Sequence, residues 1–277
     1  MKTVTLCADD YGLNDAVSRG IIDLANAGRL SAVSCMSASP RWREHAAWLT
    51  PLRDRIDIGL HLTLTGLAPL GSMPRFAPDG TLPELGKVLI EGVLHRLPRA
   101  EIAAELHRQM EAFIAHFGRA PDFIDGHQHV HVLPGVRETV FELWERYLMP
   151  DRGYLRSCHE PLMAIMRRGI EPAKALIIST LSARLARQAH KRGVLINDSF
   201  RGVHDFSGQR DPQQLFPRFL QGAGLRPLVM CHPGYANGGD DDELRDWRPR
   251  EFAYFISEEF LSDLAVAGVR LSRLPRQ

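Results

Sequence analysis

The sequence predicts an α/β fold whose parallel sheet closes into a barrel, and three observations carry that prediction. Short β-rich runs recur along the whole chain, amphipathic stretches of helical length separate them, and no Ser/Gly tract, composition shift or internal repeat marks a linker. Runs at residues 4–8, 31–37, 56–62, 122–126, 154–157, 193–197, 227–231 and 269–272 read as eight strands. Helices are expected over 16–27, 100–117, 136–147, 172–191 and 251–267. Eight strands alternating with helices favour a closed barrel over an open sheet, and one domain over residues 1–277. Three long irregular stretches remain, at 66–85, 198–212 and 234–249, the last holding the acidic run Asp240-Asp241-Asp242-Glu243. Loops of that length inside a compact domain are candidates for lids or binding loops.

Taken in order, six of the strands end on residues that carry chemistry. The first runs into Asp9-Asp10-Tyr11-Gly12, where Gly12 turns the chain just as two carboxylates emerge. Side chains alternate along an extended backbone, so the pair points two ways, and one can bind a metal while the other takes a proton. The competing reading is a carboxylate pair favoured by the dipole of a helix starting near Asn14 and Asp15. The third strand ends on His61, embedded among leucines, where a lone imidazole is more often a core residue than a ligand. The fourth ends in Asp125-Gly126-His127-Gln128-His129-Val130-His131, three histidines at spacing two, which an extended backbone would aim to one side. Pro134 soon ends the strand and can redirect His131. Arg156 follows the fifth strand and could pair with Asp9 or lie in a surface ion pair. Asp198 follows the sixth run, where it can cap the next turn. The seventh ends in His232-Pro233-Gly234, ordinary turn chemistry by itself, but beside a metal His232 is a suitable general acid for a departing amine.

Composition bounds the remaining classes. With 277 residues, 44% apolar and 24% charged, the chain can bury a large core. Its 34 basic and 33 acidic residues give a net charge of +1, so the overall field selects neither nucleic acid nor an anionic membrane as partner. The four cysteines form no Cys-x-x-Cys pair, which points to free thiols in a reducing cytoplasm. The apolar run before Asp9 is too short for a signal segment, and nothing later reaches the ~18 apolar residues of a membrane span. Nothing fixes the oligomeric state, and a homo-oligomer is compatible with the sequence.

These motifs in this order, from about residue 4 to residue 274, resemble the YdjC-like carbohydrate deacetylases, a group that includes the ChbG chitooligosaccharide deacetylases and the HpnK hopanoid-associated proteins. The resemblance implies a distorted, TIM-like β/α barrel related to the NodB-type polysaccharide deacetylases. It implies one divalent metal held by Asp10, His61 and His127, with Asp9 as general base. Ligand type leaves the metal open among Mg²⁺, Zn²⁺, Mn²⁺ and Co²⁺. The common form of the third motif is Asp-Ser-His-His-His-Val-His, from which this chain departs at Gly126 and Gln128. The expected reaction is hydrolysis of an N-acetyl group on an acetamido sugar, carried on an oligosaccharide or a glycolipid. Asp9 would take a proton from water, His232 would protonate the amine, and backbone N–H groups near Tyr11 and Gly12 would steady the oxyanion. Tyr11, His129, Arg156, Asp198, Tyr235 and Trp247 are the candidate substrate contacts, the aromatics as faces for a sugar ring. Two other readings compete: metal-dependent hydrolysis of another amide or a phosphoester, and a noncatalytic sugar-binding barrel. Asp9, which neither metal nor sugar binding requires, argues against the last.

Overall fold

A computed structural model describes residues 2–221, 224–236, 239 and 242–275. Asp240 and Asp241 of the acidic run lie outside the described residues. The first half of the chain runs β1 (Lys2–Tyr11), α1 (Asp15–Asn26), β2 (Ala32–Cys35), α2 (Trp42–Trp48), β3 (Asp57–Leu62), α3 (Leu85–Val93), α4 (Arg99–Phe117), β4 (Phe123–Gly126) and α5 (Arg137–Leu143). The second runs β5 (Tyr154–Leu155), α6 (Leu162–Arg168), α7 (Pro172–Arg192), β6 (Ser199–Arg201), α8 (Pro212–Leu220), β7 (Pro227–Cys231), α9 (Arg248–Ile256), α10 (Glu258–Val266) and β8 (Val269–Leu271).

The strands pair in the order β5-β4-β3-β2-β1-β7-β6, every neighbour parallel, and β8 joins β1 along Lys2 to Val4. Between the outer strands runs a single bridge, Leu155 to Ile196, rather than a ladder. The barrel is therefore distorted and barely closed. Every residue of β2, β3, β4 and β7 is buried, as a parallel sheet covered by helices requires.

Boundaries differ from the sequence expectation where apolar character and backbone pairing part company. The sixth strand lies at Ser199–Arg201, not at residues 193–197, because the apolar stretch after Gly193 supplies one bridge and the Asn197 carboxamide then bonds Ser157 N and O. The helix expected over 251–267 is two helices: Ser257 is extended (φ −74°, ψ 162°) and its hydroxyl caps Phe260 N. The stretch expected as one helix over 136–147 is α5 followed by one wider π turn to Leu148.

Candidate active site

All the residues of interest gather where the strands end. Asp9 and Asp10 lie within β1, not at a helix start, since Asn14 is the residue whose side chain caps α1, through Val17 N at 2.9 Å. The strand register shifts between Ala8 and Tyr11, and Asp10 adopts φ +65°. A left-handed residue is costly for anything but glycine, and here it breaks the alternation of an extended strand. Both carboxylates consequently reach the same cavity, which strict alternation would have forbidden.

They meet different partners there. Arg156, fully buried, forks Asp9 with two bonds of 2.6 Å, contacts Asp125 Oδ2 at 2.6 Å and gives Cys7 Sγ a contact of 2.9 Å. Asp10 instead faces imidazoles: Oδ1 lies 2.9 Å from His127 Nδ1 and 3.3 Å from His61 Nε2. Its other oxygen accepts from Arg248 Nη2 at 2.9 Å. Burial disfavours the Asp10 carboxylate, but His127 and Arg248 outweigh it and hold the group well below the usual range.

His61 is oriented from behind. Its Nδ1 lies 2.7 Å from Asp125 Oδ1, which also accepts the Ser34 hydroxyl at 2.5 Å, so only Nε2 faces Asp10. The β3–β4 register sets this pair, because His61 and Asp125 are direct cross-strand partners. Burial works against the charged ring, yet Asp125 and Asp10 raise His61 to about 10. Ligand atoms of Asp10, His61 and His127 lie within 4.8 Å of one another, a carboxylate and two imidazoles that fit a divalent metal, with the Asp125 acceptor behind His61 as such ligands require.

The three clustered histidines do not share a face. The strand stops at Gly126, and Gln128 (φ +51°) and His129 (φ +63°) are both left-handed, so the segment coils instead of extending. His127 reaches Asp10; His129 lines the cavity with Nδ1 3.7 Å from Cys158 Sγ; His131 turns back to donate from Nε2 to Arg156 O at 3.0 Å. Burial, with His131 and Arg156 nearby, pushes His129 well below the usual imidazole range.

His232 lines the cavity from the end of β7, and its buried Nδ1 meets no partner among the described residues. Burial lowers its pKa, while Asp10 and Asp9 oppose that shift. Its backbone N–H donates to Glu251, which also accepts from Trp247 Nε1 at 2.7 Å. The His-Pro-Gly glycine serves close approach, not only a turn: a Cβ on Gly20 of α1 would stand 2.9 Å from Gly234 Cα.

Five of the six candidate substrate contacts lie off the cavity. Tyr11 is buried and donates to His45 O at 2.8 Å, because the bulge turns its ring into the core. Arg156 has both Nη atoms committed to carboxylates and Cys7. Asp198 precedes β6 and accepts from Leu225 N and Arg226 N, which puts it at the opposite end of the barrel. Tyr235 bonds Asp23 and packs on Phe252, outside the mouth. Trp247 is buried on Glu251 and His204. The Gly12 amide is also taken, by Ser18 Oγ at 3.0 Å, so it offers no oxyanion contact. Sequence reasoning assigned no role to Ser34, Asp125, Asp242, Arg248 or Glu251. The Asp125 role was readable from strand pairing, whereas no local pattern marks Arg248.

The cavity encloses about 1020 Å³. Its lining mixes polar residues, Asp9, Asp10, His61, His127, Lys174 and Arg248 among them, with the apolar Leu85, Leu89, Leu133, Ile177, Ile178 and Leu181. Residues 66–67 and 242–244, from two of the long irregular stretches, line it as well.

A parallel barrel whose C-terminal mouth gathers a carboxylate and two imidazoles at ligand distance, beside a second carboxylate forked by arginine, belongs to the class of α/β barrels with a candidate metal centre. The chain belongs to the YdjC-like protein family, whose family model matches residues 3–266. It is 35% identical over 269 residues to a carbohydrate deacetylase of Geobacillus stearothermophilus, covering 95% of this chain and 93% of that protein. It is 34% identical over 233 residues to a chitooligosaccharide deacetylase of Proteus mirabilis, covering 82% and 79%. Among solved structures, a candidate cellobiose-phosphate cleavage protein of Enterococcus faecalis aligns with a TM-score of 0.71 at 20% identity, over 98% of this chain and 97% of that one. The Bc1960 peptidoglycan N-acetylglucosamine deacetylase aligns with a TM-score of 0.52 at 13% identity, over 99% and 86%. At such identities the two structures speak to the fold alone, and the expected likeness in fold to a polysaccharide deacetylase barrel is borne out.

Proposed function

We propose that this protein hydrolyses the N-acetyl group of an acetamido sugar, releasing acetate and an amino sugar. The observation that carries the reading is the division of labour between two adjacent carboxylates: Asp10 faces His61 and His127, while Asp9, one residue away, is forked by Arg156 and opens on the same cavity. Asp10, His61 and His127 are the residues to hold one divalent ion, Mg²⁺ or Zn²⁺, with Mn²⁺ and Co²⁺ as alternatives. Such an ion, when bound, supplies Lewis-acid polarisation of the acetyl carbonyl and a more acidic water. Asp9, fixed in orientation by Arg156, takes a proton from the attacking water. His232, whose Nδ1 meets no partner among the described residues, delivers a proton to the sugar nitrogen as the C–N bond breaks. Two relatives named as deacetylases of carbohydrate and of chitooligosaccharide, at 35% and 34% identity, support the same reaction class.

The apolar part of the lining favours a sugar with an apolar aglycone over a free oligosaccharide. Leu85, Leu89 and Ile177 line the cavity, and α3 and α6 also expose Ile90, Val93, Met163 and Met166. Among the described residues no helix is long and apolar enough to cross a membrane. All four cysteines are buried free thiols, which suits a reducing cytoplasm.

An acetate-release screen of the metal-loaded protein, across N-acetylated monosaccharides, chitooligosaccharides and N-acetylglucosaminyl lipids, tests both levels. Release from the glycolipid set is expected to exceed release from the oligosaccharides. Faster turnover of oligosaccharides would overturn the preference, and no release from any acetylated sugar would overturn the reaction.

A further inference from the structure

Gln109, fully buried, and Gln128, half-buried with a buried carboxamide oxygen, differ in a way that points to a ligand. Gln109 of α4 is fully paired: Oε1 accepts from Thr63 N at 2.9 Å, and Nε2 donates to Thr63 O at 2.8 Å and Glu105 Oε1 at 3.1 Å. Gln128 also has its carboxamide oxygen buried, yet that oxygen meets no donor among the described residues. Buried acceptors are rarely left unpaired, because the lost hydration is not recovered. The residue lines the cavity together with Asp9, Asp10, His61 and His232, and it directly follows His127. Its backbone is held at φ +51°, a conformation unfavourable for glutamine, next to His129 at +63°. A strained backbone at a residue that lines a cavity, together with a buried acceptor left unsatisfied, is a common mark of a binding contact.

We infer that Gln128 is a specificity-determining residue whose Oε1 accepts a hydrogen bond from a donor beside the acetyl group of the bound sugar. This rests on the deacetylase reading for the identity of the ligand. An acetamido sugar offers two donors there, the amide N–H and a neighbouring ring hydroxyl, and both share the chemistry the oxygen requires. Methionine at this position keeps the length of the side chain and removes the acceptor; glutamate keeps the acceptor.

The test compares wild type, Gln128→Met and Gln128→Glu, all metal-loaded, for metal content, kcat/KM and calorimetric affinity. The probes are an N-acetylglucosamine glycoside, its O-acetyl counterpart lacking the amide N–H, and its 3-deoxy analogue. Calorimetry uses each protein with Asp9→Asn to prevent turnover. Gln128→Met is expected to lose about ten- to a hundredfold in kcat/KM and affinity for the parent glycoside, with unchanged metal content. For one analogue the loss shrinks to less than about twofold, and that analogue identifies the donor: the O-acetyl compound for the N–H, the 3-deoxy compound for the hydroxyl. Gln128→Glu recovers part of the loss on the parent. Equal losses on all three probes, or none in affinity, would overturn the assignment. Should wild type release no acetate yet bind the glycoside with this same discrimination, the reaction falls and the role of Gln128 stands.

Discussion

At the N-terminal end of the barrel Asp57 and Asp122 are held by arginine and backbone donors, whereas at the C-terminal mouth Asp10 faces two imidazoles and three buried polar atoms meet no partner among the described residues. Asp57 accepts from Arg273 Nε at 2.7 Å and Leu274 N at 2.9 Å, and Asp122 accepts from Ile58 N and Arg119 Nη2, each at 2.9 Å. Near the mouth the buried Gln128 Oε1, His131 Nδ1 and His232 Nδ1 have no partner among the described residues. The same residue types therefore tie the barrel shut at one end and keep valence for a ligand at the other. This is the division expected of parallel barrels, where stability sits at the bottom and chemistry at the top.

Four substitutions break or sharpen that contrast. His127→Ala is expected to act most strongly, taking metal content by elemental analysis from one ion per chain to near none, with acetate release falling about a thousandfold or more. Unchanged metal content would remove His127 from the ligand set. Asp125→Asn leaves the shape but weakens the acceptor behind His61, so chelator competition should report about ten- to a hundredfold weaker metal affinity in a folded protein. Wild-type affinity would mean that Asp125 serves only Arg156. At the other end, Asp57→Ala should cost about 2 kcal/mol in denaturant unfolding while kcat stays within about twofold, since Arg273 is partly exposed and softens the loss. A large fall in kcat would erase the distinction between the ends.

The smallest effect is on pH. Burial, partly opposed by Asp125, holds His131 at about 4 against an ordinary 6.5. Because the folded value is depressed, the neutral ring's contribution is complete above pH 6.5 and is lost as pH falls through 4. His131→Gln, which keeps a donor for Arg156 O, should flatten the decline of melting temperature between those values. Parallel declines in variant and wild type would refute it.

What the sequence made legible follows the same division. The β-rich runs located seven of the eight strands and their C-terminal ends, and so placed Asp9, Asp10, His61, His127 and His232 at one mouth. Helices of seven or nine residues, such as α2, α3 and α8, give too few turns for a clear period, and α3 is the one that walls the cavity. Backbone bends were hidden: the left-handed Asp10, Gln128 and His129 redirect side chains that alternation would send elsewhere. Tyr235 and Trp247 were near the mouth in sequence but not in space, and Arg248 reaches Asp10 only because the chain folds back across 238 residues.

The central claim is that Asp9 and Asp10 hold different offices. Wild type and Asp9→Asn, compared side by side for metal content and for acetate release from an N-acetylglucosaminyl substrate, test it most directly. The expected result is one ion per chain in both, with release in the variant reduced about a thousandfold or more. Near-normal release from Asp9→Asn, or loss of its metal, would contradict the assignment.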